Sequence, residues 1–162
     1  MARDDIRMSE AEVRGYLESG HTMILVTNGP RGFPHAMPMF YGLDQDGTVR
    51  FSTYARSQKV RNIERDPRVT LLVESGSAYS ELRGVMIEGR AELVSDLDAT
   101  VATMIEATRS TDSRLPDVSS IPQALKEKMA GRRVLVRVRP ERVVSWDHGK
   151  LPREKTPAGL GG

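Results

Sequence analysis

The chain has 162 residues, of which 38% are hydrophobic and 28% charged, a composition typical of one soluble globular domain. Its 24 basic and 22 acidic residues leave a net charge of only +2, and aromatic residues make up 5%. A nucleic-acid-binding module is disfavoured, because it needs a basic surface or stacking platforms. The absence of cysteine excludes disulfides, thiolate nucleophiles and cysteine-bound metals. With no signal-peptide pattern and no run of ~20 apolar residues, a cytoplasmic protein is expected.

The chain begins with a predicted helix. Ser9 followed three residues later by Glu12 is a capping box, in which each residue accepts a backbone hydrogen bond from the other. The helix is predicted to run from Ser9 to Ser19 and to end at Gly20.

Two paired strands are predicted next, TMILVTN and FPHAMPMFYGL, and each is followed by a turn signal, GPRG or DQDG. Pro34 and Pro38 have no backbone N–H to donate, so the second strand is expected at a sheet edge or interrupted. Backbone groups near residues 37–39 would then be free to meet a ligand.

Strands and helices alternate in the middle of the chain. TVRFST predicts a third strand, Ser57 can cap a helix that Pro67 ends, and RVTLLVES and GVMIEGRAELVS predict two more strands. Asp96 can cap a second long helix that ends near Ser110.

The last part of the chain predicts a loop, a short helix opened by Pro122, and a final pair of strands bent at Pro140. Together these elements predict a mainly β fold with helices (α+β), a small barrel of about six antiparallel strands with flanking helices. Residues 1–150 would form this single domain, and residues 151–162 a tail rich in proline and glycine.

Hydroxyl and basic side chains gather where the third strand meets the following helix, in FSTYARSQK. They are Ser52, Thr53, Arg56, Ser57 and Lys59. A helix N-terminus presents unpaired backbone N–H groups and a partial positive charge, so this segment predicts a site for one phosphate monoester. Alternatively, Ser57 is only a cap, and Lys59 belongs to a solvated helix face.

The sequence gives weaker evidence for other kinds of site. The histidines, His21, His35 and His148, lack the spacing of a metal site, so no metal is expected. The sequence does not indicate a hydrolase, because the GxSxG motif that surrounds a nucleophilic serine does not occur. Trp146 and Tyr79 could stack on a planar ring, although a single tryptophan is often part of the core.

Three segments carry a resemblance to a known family. GPRGFPHAMPMFY, VRFSTYARSQKVRNIERDPRVTLLVE and LRGVMIEGRAELV resemble motifs of the pyridoxamine 5'-phosphate oxidase-like FMN-binding split-barrel family. They are most similar to its actinobacterial branch of flavin and deazaflavin oxidoreductases. The matching motifs cover about three quarters of the chain.

The resemblance implies a homodimeric split barrel with its cofactor sites in clefts between the subunits. The hydroxyl and basic residues of FSTYARSQK would hold the cofactor phosphate, and the backbone of Met37, Pro38 and Met39 would run beside the ring. Contacts across the dimer are implied, less specifically, for Tyr79, Trp146 and Lys150.

The implied activity is hydride transfer, in which the cofactor ring carries the chemistry and the protein orients it. The leading hypothesis is a reductase that transfers a hydride from reduced deazaflavin F420 to a conjugated or planar small-molecule acceptor. The alternatives are an FMN-dependent oxidoreductase of the same fold and a non-catalytic binder of flavin or haem.

No catalytic residue can be assigned from the resemblance. After hydride transfer the acceptor still needs a proton, which solvent, Tyr41 or His35 could supply. Oxidation of pyridoxamine phosphate is not expected, because WDHGKLPREKTPAG lacks the basic and aromatic C-terminal run of the vitamin B6 oxidase.

Overall fold

A computed structural model describes residues 3–107 and 117–152. These residues form seven strands, four α-helices and short 3-10 turns. The strands are β1 (Thr22–Asn28), β2 (Pro34–Phe40), β3 (Gly42–Leu43), β4 (Val49–Tyr54), β5 (Arg68–Ser75), β6 (Arg83–Val94) and β7 (Arg133–Asp147). The α-helices are α1 (Glu10–Ser19), α2 (Gln58–Arg65), α3 (Leu97–Ala107) and α4 (Gln123–Ala130).

All seven strands belong to one antiparallel sheet in the order β2-β1-β5-β6-β7-β4-β3. β2 and β3 stand at opposite ends of this order, yet only Tyr41 separates them along the chain. The sheet must therefore curl until its two ends meet, which gives the expected barrel. β2 is an edge strand, as its prolines predicted.

The last strand differs from the expectation of two strands bent at Pro140. β7 is one continuous strand of 15 residues. Its register against β6 shifts by one residue, since Glu88 faces Arg142 while Gly89 faces Pro140. Glu141 is therefore the extra residue of a β-bulge. A bulge tolerates a proline because the ladder is already interrupted there, so Pro140 bends the strand without ending it.

The core lies inside the curled sheet and follows the alternation of the strands. Leu25, Phe51, Val85 and Val136 are completely buried. Because successive side chains of a strand point to opposite faces, β4 buries every second residue and exposes the others more. We call the core side of a strand its inner face and the other side its outer face.

The helix caps agree only in part with the sequence patterns. Ser9 and Glu12 form the predicted capping box, and the Asp96 carboxylate accepts a hydrogen bond from the backbone of Ala99 at 2.9 Å. Ser57 occupies the N-cap position of α2, but its hydroxyl makes no capping hydrogen bond. The predicted end of the second long helix, near Ser110, lies outside the described residues.

A contact between the two ends of the described chain leads to a pH prediction. The Lys150 ammonium lies 2.7 Å from the Glu12 carboxylate and donates to the Arg7 carbonyl at 2.9 Å. Lys150 and the capping bonds of Ser9 lower the pKa of Glu12 from 4.5 to about 2. Since the folded-state pKa is depressed, the contribution of Glu12 to stability is complete above pH ~4.5 and is lost as the pH falls toward 2.

We therefore expect acid to loosen the start of α1 between about pH 4.5 and pH 2. Far-ultraviolet circular dichroism across this range measures the loss of helix. In the variant Glu12→Gln, this pH-dependent component should disappear. An identical acid titration of the variant and the native protein would contradict the assignment.

Candidate functional site

The candidate site is the turn that joins β4 to α2. The backbone N–H of Ala55 donates to the Arg132 carbonyl at 3.0 Å, and that of Ser57 donates to the Tyr54 carbonyl at 3.0 Å. These two bonds close the turn and place the first residues of α2 beside the end of β4. The sequence segment FSTYARSQK therefore folds into one compact corner.

A buried polar contact fixes the position of α2. Asn62 is completely buried, and its amide donates to the Thr27 hydroxyl of β1 at 2.9 Å. Its carbonyl oxygen accepts from the Gln58 side chain at 2.8 Å. Since an unpaired buried amide would be costly, this network holds α2 in one orientation on the sheet. Sequence reasoning missed Asn62, because its polarity in the middle of the helix suggests exposure.

The structure divides the predicted hydroxyl cluster between the two faces of β4. Thr53 lies on the inner face, is 3% exposed, and accepts a hydrogen bond from the Lys59 ammonium at 3.2 Å. Ser52 lies on the outer face, where its hydroxyl accepts from the Arg133 guanidinium at 3.4 Å. Lys59 thus reaches one of the two predicted hydroxyls, and Arg133 reaches the other.

Arg133 is a site residue that sequence reasoning missed. It faces Tyr54 across the β4–β7 pair, and its guanidinium carbon lies 4.5 Å from the centre of the Tyr54 ring. Cations are attracted to the face of an aromatic ring, so Tyr54 orients Arg133. Arg133 is 74 residues after Lys59, and only the pairing of β7 with β4 brings them to the same corner.

Among the described residues, no carboxylate compensates the positive charge of this corner. Burial, and secondly the charge of Arg133, lower the pKa of Lys59. Within residues 3–107 and 117–152, no acidic side chain forms an ion pair with Lys59 or Arg133. Two neighbouring cations without a counter-ion favour the binding of an anion.

The hydroxyl of Ser57 supplies a further observation. Its oxygen is buried and has no hydrogen-bond partner within the described part of the chain. Buried polar atoms in proteins are nearly always hydrogen-bonded, so an orphaned hydroxyl at a helix N-terminus fits a site that receives ligand oxygens. Arg56, the residue before it, is exposed. These groups fit a phosphate, with Lys59 supplying a full charge and the first turn of α2 supplying N–H donors.

The predicted ring-side segment lies on β2. Met37 and Pro38 are exposed, whereas Met39 packs against the core. β2 pairs with β1 on one side only, which leaves its other backbone edge open. This edge provides the free backbone groups that the sequence predicted near residues 37–39.

Tyr79, Trp146 and Lys150 lie at or beside the C-terminal end of β7, and each contacts other residues there. The Tyr79 ring lies 4.6 Å from that of His148, and Trp146 packs on Gly84. β7 extends from Arg133 to Asp147, and at about 3.3 Å per residue its contour length is about 45 Å. Within one chain, these three residues therefore lie at the opposite end of β7 from the corner between β4 and α2, and a shared contact with the cofactor remains a prediction.

The candidate proton donors differ in their surroundings. The Tyr41 hydroxyl donates to the Leu17 carbonyl at 2.5 Å, and burial raises its pKa. Such a group is a poor acid at neutral pH. His35 is partly buried, and its Nδ1 has no partner among the described residues.

The described residues contain no cluster of three or more acidic or histidine side chains that could hold a metal ion. None of the helices in the described part of the chain is long and apolar enough to cross a membrane.

Comparison with known proteins identifies the family. The family model described as pyridoxamine 5'-phosphate oxidase matches residues 9–147. The chain belongs to this family. The pyridoxamine 5'-phosphate oxidase family includes flavin-binding oxidoreductases with a split-barrel fold, in agreement with the resemblance of the sequence motifs.

Individual relatives agree with this assignment. A pyridoxine/pyridoxamine 5'-phosphate oxidase from Rubrobacter xylanophilus is 31% identical over 159 residues, covering 86% of this chain and 71% of the relative. The crystal structure of the conserved hypothetical protein Rv2991 from Mycobacterium tuberculosis has a TM-score of 0.81 and 36% identity, covering 99% of both chains. The structure of an F420 reductase has a TM-score of 0.58 and 23% identity, covering 80% of this chain and 94% of the other, and it shows the fold alone.

Proposed function

We propose that this protein is an oxidoreductase that binds the deazaflavin F420 and transfers a hydride from its reduced form to a conjugated or planar small molecule. The observation that carries the proposal is the corner between β4 and α2, where Lys59 has no ion-pair partner and the buried Ser57 hydroxyl has no hydrogen-bond partner among the described residues. A cofactor with a phosphate beyond its ring system suits this corner, and FMN is the alternative.

The residues of the chain would bind and orient this cofactor. Lys59, Ser57 and the N–H groups of α2 would hold the phosphate, with Thr53 keeping the Lys59 ammonium in place through its 3.2 Å hydrogen bond. The open edge of β2 would lie along the ring. The bound deazaflavin would supply the hydride, so the protein requires no activated nucleophile. Solvent is the proton source that we favour, because the Tyr41 hydroxyl is already donated to a carbonyl.

We further propose that the active protein is a homodimer. Large apolar side chains are exposed on and beside the edge strand β2, with Phe33 at 74%, Phe40 at 57% and Met37 at 38%. Met37 and Phe40 point to opposite faces of β2, so this edge strand exposes apolar surface on both sides, and exposed apolar surface is typical of interaction sites. A second subunit would cover them, and could bring its own Tyr79, Trp146 and Lys150 to the cofactor.

Sedimentation at micromolar concentration should show a particle of twice the 18.0 kDa chain. The double variant Met37→Glu, Phe40→Glu should sediment as a folded monomer. A monomeric native protein would contradict the dimer proposal.

The decisive test of the function is a side-by-side titration of the purified protein with F420 and with FMN, followed by cofactor fluorescence. Tight binding of F420 is expected, followed by its oxidation when the reduced form is mixed with planar enone or quinone acceptors. Tight binding of FMN without binding of F420 would reverse the choice of cofactor. Binding without turnover by any acceptor would instead support a carrier.

A further inference from the structure

Arg133 differs from the other partly buried arginines of the described chain. Each of those lies within 4 Å of a carboxylate, namely Arg14, Arg50, Arg83 and Arg137. Among the described residues, Arg133 contacts only a hydroxyl and an aromatic ring. Burying part of an unpaired charge is unfavourable, so an anionic partner from outside the described residues would stabilise Arg133.

The contacts of Arg133 orient it and leave most of its donors free. A guanidinium carries five N–H donors, and one of them makes the 3.4 Å bond to Ser52. The guanidinium carbon also lies 4.5 Å from the centre of the Tyr54 ring, a cation–π contact that requires no N–H donor. Most N–H donors of Arg133 are therefore available for the paired hydrogen bonds that arginine forms with a carboxylate or a phosphate.

Arg133 and Lys59 face different sides of the same strand end. Lys59 contacts Thr53 on the inner face of β4, whereas Arg133 contacts Ser52 on the outer face. One compact phosphate that accepts hydrogen bonds from Lys59 and Ser57 would leave the N–H donors of Arg133, on the outer face, without an acceptor. A ligand with two separate anionic groups would provide an acceptor for each of the two cations.

We propose that Arg133 binds a second anionic group of the cofactor, a carboxylate that lies beyond the phosphate. The inference rests on the proposed function and deepens it by stating the class of ligand. F420 continues past its phosphate into a chain of glutamates, whereas FMN ends at its phosphate. Arg133 is therefore a specificity-determining residue that favours the deazaflavin.

The test compares F420 and FMN affinities, measured by fluorescence titration at one ionic strength, for the native protein and three variants. Arg133→Gln should weaken F420 binding by about 10- to 150-fold, as for the loss of a charge-assisted hydrogen bond, and leave FMN binding unchanged. Arg133→Lys should restore part of the loss, since lysine keeps the charge but lacks the planar fork. Arg132→Gln removes the same charge from the exposed neighbouring residue and should change neither affinity.

The outcomes separate this inference from the proposed function. Equal losses of F420 and FMN in Arg133→Gln would place Arg133 on the phosphate and overturn the inference. An unchanged F420 affinity in that variant would also overturn it, while native binding of F420 would still support the proposed function. Failure of the native protein to bind F420 would refute both. Circular dichroism of each variant checks that the fold is retained.

Discussion

Replacing Lys59 by alanine should weaken cofactor binding by about 10- to 150-fold, because a charge-assisted hydrogen bond contributes roughly 1.5–3 kcal/mol. Lys59 is partly buried, donates to Thr53 at 3.2 Å, and lies two residues after Ser57, whose hydroxyl has no partner among the described residues. The fold should lose much less, about 0.5–1.5 kcal/mol for the bond to Thr53. Removing a cation that neighbours Arg133 offsets part of that cost.

The measurement is a titration with F420 and FMN together with a urea unfolding curve of the same variant. Lys128→Ala is the matched control, because Lys128 is an exposed lysine on another helix, α4. It should change neither cofactor affinity nor stability measurably. If Lys59→Ala binds both cofactors as tightly as the native protein, the corner between β4 and α2 does not hold their phosphate.

The second large effect is expected at Gly84. This residue lies opposite Trp146 in the β6–β7 pair, and a Cβ atom added to it would lie 2.1 Å from Cζ2 of the indole ring. Since real Cβ atoms do not approach carbon this closely, Gly84→Ala must displace Trp146. Forcing an extra methyl group into a packed site costs typically about 1–3 kcal/mol. Trp146 is the single tryptophan, so its fluorescence reports the displacement directly.

The matched control is Gly15→Ala, which should have the opposite sign. Gly15 lies within α1, is exposed, and has nothing within 4 Å of the added Cβ. Alanine is a better helix former than glycine, so this change should stabilise the fold by about 0.5–1 kcal/mol. Urea unfolding of the two variants measures both effects. Equal stabilities would show that the contact between Gly84 and Trp146 does not constrain the fold.

Local patterns in the sequence were sufficient to predict most of the helices and strands. The capping box at Ser9, the strand TMILVTN and the edge position of the proline-containing β2 agree with the structure. Each depends on interactions between residues close in the chain, or on the missing N–H of proline, and such rules hold in any fold. The motifs likewise indicated the family, to which the match over residues 9–147 assigns the chain.

The tertiary structure decided which of the predicted site residues meet. Ser52 and Thr53 are adjacent in sequence, but they lie on opposite faces of β4 and contact different cations. Arg133 could not be found from the sequence, because its place beside Ser52 and Tyr54 depends on the register of two strands nearly 80 residues apart.

Dependence on long-range contacts also explains the other differences between the structure and the sequence predictions. Continuation of β7 past Pro140 depends on the bulge that its pairing with β6 creates, and the burial of Asn62 depends on Thr27 of a distant strand. Local patterns therefore determined the helices, the strands and the basic, hydroxyl-rich segment between β4 and α2. Only long-range strand pairing decided that two cations without a described counter-ion stand at one corner, because such contacts have no signature in neighbouring residues.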